Sequence, residues 1–140
     1  MTKIKKKPDH ETFHFFNANP LNQSSGDCVI RAISAFLDRS WADVYREMAE
    51  FGIERGQMLN WDDCYWAYLE SKGYSKQRMP VRDDRTKYTV EEFCQEIAVT
   101  GHRYVVRMAH HLTFIGPDRR IWDTWDCGYK TMGNYCEAIN

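Results

Sequence analysis

The sequence predicts an α+β domain, helices first and an antiparallel sheet at the C-terminal end. Three observations carry that expectation. Apolar residues recur at helical spacing up to residue 98, then β-rich runs follow at 104–108, 111–115 and 121–125. No internal repeat or linker divides the 140 residues, a length that suits one domain. Hydrophobic residues make up 43% of the chain, which is enough for a core.

Residues 1–12 are polar and basic, with Lys3, Lys5, Lys6 and Lys7 ahead of Pro8. They are expected to form a mobile, solvated tail, leaving 13–140 as a single domain. Phe13, Phe15 and Phe16 are the first apolar group and would pin the chain to the core. Residues 17–26 are rich in Asn, Pro, Ser and Gly and read as a loop. Val29, Ile30, Ile33, Phe36 and Leu37 then mark a buried helix whose only early charge is Arg31. Ser40 followed by Asp43 resembles a capping box, and Trp41, Val44, Tyr45, Met48 and Phe51 give that second helix its apolar face. Gly52 is its expected stop. Asn60 is placed to cap a third helix carrying Trp61, Cys64, Tyr65, Tyr68 and Leu69, with Gly73 at its end. Residues 74–88 contain Pro80 and many charges, with Met79 and Val81 on a short strand. Thr89-Val90-Glu91-Glu92 is a capping box for a fourth helix with Phe93, Ile97 and Ala98 on its apolar face and Gly101 as terminator. The second and third β-rich runs have hairpin spacing around Gly116-Pro117-Asp118, and Asp126, Gly128 and Gly133 punctuate the tail.

Charge excludes some functions. Lys and Arg number 19 against 20 Asp and Glu, so a broad nucleic-acid-binding face is not expected. No apolar run reaches the length of a membrane span, and no apolar stretch follows the basic start as in a signal peptide. The five cysteines are odd in number and lack a secretion signal, which points to reduced thiols and a cytoplasmic protein. No Cys-x₂-Cys pair occurs, and His10 and His14 lack the adjoining Glu of a metalloprotease helix, so neither a metal nor a cofactor is expected.

The chemistry concentrates at Gly26-Asp27-Cys28. A cysteine at a helix start meets unpaired N–H groups and the positive end of the dipole, which favour the thiolate. Cys64 and Cys94 fall in helix interiors and read as small buried hydrophobes. Cys127 reads as a loop residue, and Cys136 suggests no role. His110 and His111 are adjacent, so on a strand only one faces the cysteine; His111 heads the apolar run and His110 is the fallback. Asp123 shares the hairpin context of His111, whereas Asp126 is displaced toward a turn. Trp122 and Trp125 flank the aspartate, either packing the hairpin or shielding the histidine–aspartate contact from water.

These residues resemble a known family. Gly-Asp-Cys-Val-Ile-Arg-Ala-Ile at 26–33, Asn19-Pro20 upstream, His111 opening a strand and Trp122-Asp123-Thr124-Trp125-Asp126 after it are similar to small papain-like cysteine peptidase domains of phages and bacteria. Among better-known families they resemble the C39-type peptidases, which cut leader peptides from bacteriocin precursors. The resemblance covers about residues 17–128. It implies a papain-like fold, with the nucleophile at a helix N-terminus packed on the sheet. It implies Cys28 as nucleophile, His111 as base and Asp123 as orienting carboxylate. The family's oxyanion glutamine, six positions before the cysteine, falls on Asn22, while this chain has its glutamine at Gln23. Both remain oxyanion candidates.

The implied activity is a thiol hydrolase, a peptidase or isopeptidase working through a thioester. The alternatives are an inactive papain-like binding or inhibitory module, and an acyl or amine transferase on the same triad. The implied partner is a protein or peptide substrate, neither nucleic acid nor membrane, bound in a groove walled by residues 17–25 and 52–59.

Overall fold

The computed structural model describes residues 3–139. Four helices, α1 (Cys28–Leu37), α2 (Trp41–Arg55), α3 (Asp62–Ser71) and α4 (Val90–Glu96), accompany five strands. The strands are β1 (Phe13–Phe15), β2 (Arg103–Met108), β3 (His111–Ile115), β4 (Ile121–Asp123) and β5 (Met132–Ala138), in spatial order β1-β4-β3-β2-β5. The class is α+β, as expected. The sheet is mixed rather than antiparallel, because β1 pairs parallel with β4. No local pattern announces that pairing, since its partners lie about a hundred residues apart.

Strand alternation divides the core between two faces. On one side Val105, Leu112, Phe114, Cys136 and Ala138 meet Ile30, Ile33 and Phe36 of α1, Val44 and Met48 of α2, and Tyr65, Tyr68 and Leu69 of α3. On the other, Tyr104, Val106, Met108, Ile115, Ile121 and Met132 meet Phe13 and the α4 residues Val90, Phe93 and Cys94. Central strand β3 contributes to both clusters.

Local sequence accounts for several element ends, although α4 stops at Glu96 with Ile97 as its C-cap, well before the expected terminator Gly101. Ser40 Oγ accepts from Asp43 N–H at 3.1 Å to start α2. Thr89 and Glu92 exchange both bonds of a capping box at α4. Helix α3 starts one residue later than expected, with Trp61 at its N-cap and no side-chain cap bond. Gly52 does not stop α2. The helix continues to Arg55, and Gly56 ends it at φ +67°. Gly52 serves a close approach instead, because a Cβ there would lie 2.6 Å from the Gln57 carbonyl oxygen. Met79 and Val81 belong to no strand; Val81 forms an isolated bridge with Lys87.

Two stretches differ from expectation. The C-terminal stretch contains β5, antiparallel to β2, with a register irregularity between Val106 and Met108. Residues 3–12, expected as a mobile tail, have specific partners across the fold. Lys3 bridges to Gln23, Ile4 N–H donates to Asn22, Lys7 Nζ donates to the Thr124 carbonyl at 2.8 Å, and His10 Nε2 meets Asp126 at 2.6 Å.

Substituting Gly52→Ala is expected to destabilise the fold by about 1–3 kcal/mol through overpacking, read as a lower urea midpoint at unchanged slope.

Candidate active site

Sheet register assembles the site. In the β3/β4 pair Phe114 faces Trp122 and Ile115 faces Ile121. One further step sets Asp123 across from Thr113, and His111 lies two residues before Thr113 on the same strand face. Asp123 Oδ2 accepts from Thr113 Oγ1 at 2.6 Å and contacts His111 Nε2 at 2.7 Å. Its Oδ1 accepts the Thr124 backbone N–H at 2.7 Å and faces Arg31 Nη2 at 3.4 Å. The carboxylate is thus saturated with donors, and the side chains of Asp123 and His111 are 4% and 6% exposed.

Cys28 opens α1 and is partly exposed. Burial opposes ionisation of its thiol, but a hydrogen bond with His111, the Leu112 backbone N–H and the Arg31 charge outweigh it, so its pKa falls. The other four thiols shift upward through burial, Cys94 and Cys136 to about 12. Among the five cysteines, Cys28 is the one whose thiol is shifted toward the thiolate. Burial disfavours protonated His111, yet hydrogen bonds with Asp123, Cys127 and Cys28 prevail and raise its pKa to about 11. Burial likewise opposes charge on Asp123, but His111, Thr113 and Arg31 hold its carboxyl below the usual range.

The structure therefore brings Cys28, His111 and Asp123 together. His110 sits in the turn before β3 at φ +60°, and Asp123 takes its imidazole hydrogen bond from His111 instead. Asp126 pairs with His10 outside this cluster. Trp125 lies against the His111 ring, centroids 4.7 Å apart, where it shields the histidine. Trp122 packs elsewhere, donating to Asp118. The two oxyanion candidates differ in their commitments. Asn22 donates to the Ile4 carbonyl at 3.0 Å and accepts from Asn17 at 2.8 Å, so both ends of its amide are engaged. Gln23 Oε1 is buried with no hydrogen-bond partner among the described residues.

A groove of about 640 Å³ runs past the cysteine. One wall is Ile4 with Ser24, Ser25 and Gly26, and the other is Asn60, Asp62 and Tyr65. The second wall thus comes from the start of α3 rather than from residues 52–59. Across that wall Asp62 pairs with Arg107 at 2.5 Å and accepts from Tyr65 at 3.1 Å.

Sequence reading missed several members. Asp27 and Arg31 pair at 2.7 Å across one helical turn. Their i, i+4 spacing, and a lone charge in an apolar helix, were the available signals. Cys127 is fully buried beside the dyad. A His111 ring nitrogen, an Asp123 oxygen and the Cys127 sulfur lie within 4.8 Å of one another. These atom types suit zinc, but the donors already on Asp123 and the nearby guanidinium make this a hydrogen-bonded cluster. His10 and His14, the other metal candidates, pair with Asp126 and Asp9.

No family model, curated protein or solved structure matches the chain.

A histidine held protonated far above its unfolded pKa of about 6.5 favours the fold below that pH. The contribution fades as pH rises toward about 11. The His111 ring resonances are accordingly expected to stay at their protonated positions from about pH 5 to pH 9 in an NMR titration. A midpoint near 6.5 would show that the ion pair is not formed.

Proposed function

We propose that the protein is a thiol hydrolase of papain-like fold, a peptidase or isopeptidase that works through a thioester on Cys28. The observation that carries this reading is His111, whose ring is held by Asp123 at 2.7 Å and lowers the proton affinity of the Cys28 thiol beside it. Nε2 is engaged by Asp123, which leaves Nδ1 for the thiol. Thiol, imidazole and carboxylate each have a direction imposed by neighbours, and the activated thiol lines an open groove.

The residues divide the chemistry as follows. Cys28 gives up its proton to His111, forming a thiolate–imidazolium pair. Asp123 fixes the ring and stabilises its positive charge. The sulfur attacks the carbonyl carbon of a substrate amide, and the carbonyl electrons move onto oxygen. The Cys28 backbone N–H, at the start of α1, can donate to that oxyanion. Gln23 supplies the second donor in this reading, because the Asn22 amide is already engaged at both ends. When the intermediate collapses, the carbon–nitrogen bond breaks and the imidazolium protonates the departing amine. Water, deprotonated by the same ring, then attacks the thioester carbonyl, releasing the acid and restoring Cys28. Trp125 over His111 limits solvent access to the ion pair.

Iodoacetamide labelling near pH 6, read by peptide mass spectrometry, tests the activated thiol. Cys28 is expected to react at least about tenfold faster than Cys94, whose buried thiol is un-ionised at that pH. Equal rates would end the proposal. In any assay of amide cleavage, Cys28→Ala is expected to abolish turnover. Gln23→Ala is expected to lose about 3–4 kcal/mol of transition-state stabilisation, and Asn22→Ala far less.

A further inference from the structure

Arg31 places a guanidinium within the site, on the helix that carries Cys28. It lines the groove beside Cys28, yet its side chain is only 12% exposed. Its two terminal nitrogens serve different elements. Nη1 donates to Asp27 Oδ1 at 2.7 Å, at the start of α1, and Nη2 faces Asp123 Oδ1 at 3.4 Å, on β4. Asp27 is itself held, since its other oxygen accepts from Trp41 Nε1 at 2.9 Å and Asn19 Nδ2 at 3.1 Å. The guanidinium therefore spans two carboxylates, one anchored in the helical layer and one in the sheet.

We propose that Arg31 is a positioning residue, tying the helix that presents Cys28 to the strand that presents Asp123 and supplying positive charge against the carboxylates of the site. The inference rests on Cys28, His111 and Asp123 forming the reactive centre. A fork is needed for this task. Two nitrogens of one rigid plane can address two carboxylates at fixed separation, which a lysine ammonium cannot do.

The charge count gives the expected effect. With the thiolate–imidazolium pair formed, Asp27, Asp123 and Cys28 carry three negative charges against Arg31 and His111. Removing the guanidinium raises the proton affinity of every neighbour. The ionisable groups around it are Asp27 and Cys28 from α1, His111 from β3 and Asp123 from β4. Cys127 lies behind His111, and Asp62, Tyr65, Arg107 and His110 stand around the groove. None of these is a second cation on the Asp27–Asp123 bridge.

The pH profile of Cys28 alkylation by iodoacetamide reads the effect. The acid limb reports formation of the ion pair and the basic limb its loss from His111. In Arg31→Gln both limbs are expected to move up by about half to one pH unit, the size of one nearby charge in a partly screened site. In Arg31→Lys, which keeps the charge but not the fork, the limbs are expected to stay in place while the plateau rate constant falls several-fold. If Arg31→Gln does not fold, Arg31→Lys decides the question by itself, and a wild-type plateau overturns the proposal. Limbs that stay in place in Arg31→Gln, with only a lowered Tm, also overturn it and leave Arg31 a structural ion pair. A wild-type Cys28 no more reactive than Cys94 is a different failure, that of the reactive centre itself.

Discussion

Helix α1 lies across β3, and the site depends on where that contact seats the first turn. Ile33 and Phe36 are fully buried against a sheet face that includes Leu112 and Phe114. These side chains fix the helix against the middle strand of five. The helix begins at Cys28 and the strand at His111, so apolar packing a turn or more away aligns two element ends. Chemistry needs a thiol and an imidazole held within a fraction of an ångström. A close-packed core supplies that tolerance, because its side chains have few other arrangements.

Charges continue the same logic. The buried groups alternate in sign, from Asp27 to Arg31, Asp123 and His111, ending at the Cys28 thiol. Such a row adds little net stability, since desolvation offsets attraction, but losing any member strands a buried charge. The contacts that hold helix and sheet in place are thus also the contacts that set proton affinities. The N-terminal segment adds an outer band, running from the Asn22–Gln23 loop through Lys7 at Thr124 to His10 at Asp126.

Much of this was legible in local pattern. The starts of α1, α2 and α4 lie within two residues of sequence expectation, because caps and apolar spacing are short-range signals. The histidine–aspartate hairpin was equally readable, since strand parity and a tight turn fix which side chains share a face. Strand β5 was not. Gly133 and Asn134 interrupt its alternation where a Cβ on Gly133 would lie 3.2 Å from the Arg107 carbonyl oxygen. A sequence shows such an irregularity as a loop. Gly52 misled for a related reason, as a glycine required by close approach looks identical to one required by a left-handed turn.

By itself the sequence determined the local chemistry: a cysteine opening a helix, a histidine opening a strand, an aspartate on the next strand. Each follows from a few neighbouring residues and from the periods of helix and sheet. Tertiary structure decided how those groups are served. It engaged the Asn22 amide elsewhere and left the Gln23 oxygen unpaired. It set Cys127 behind the imidazole and turned a lone charge in an apolar helix into the bridge between Asp27 and Asp123. Those outcomes depend on contacts across as many as ninety-odd residues. Such contacts are fixed only when sheet register and helix packing are satisfied together, which no local window of sequence records.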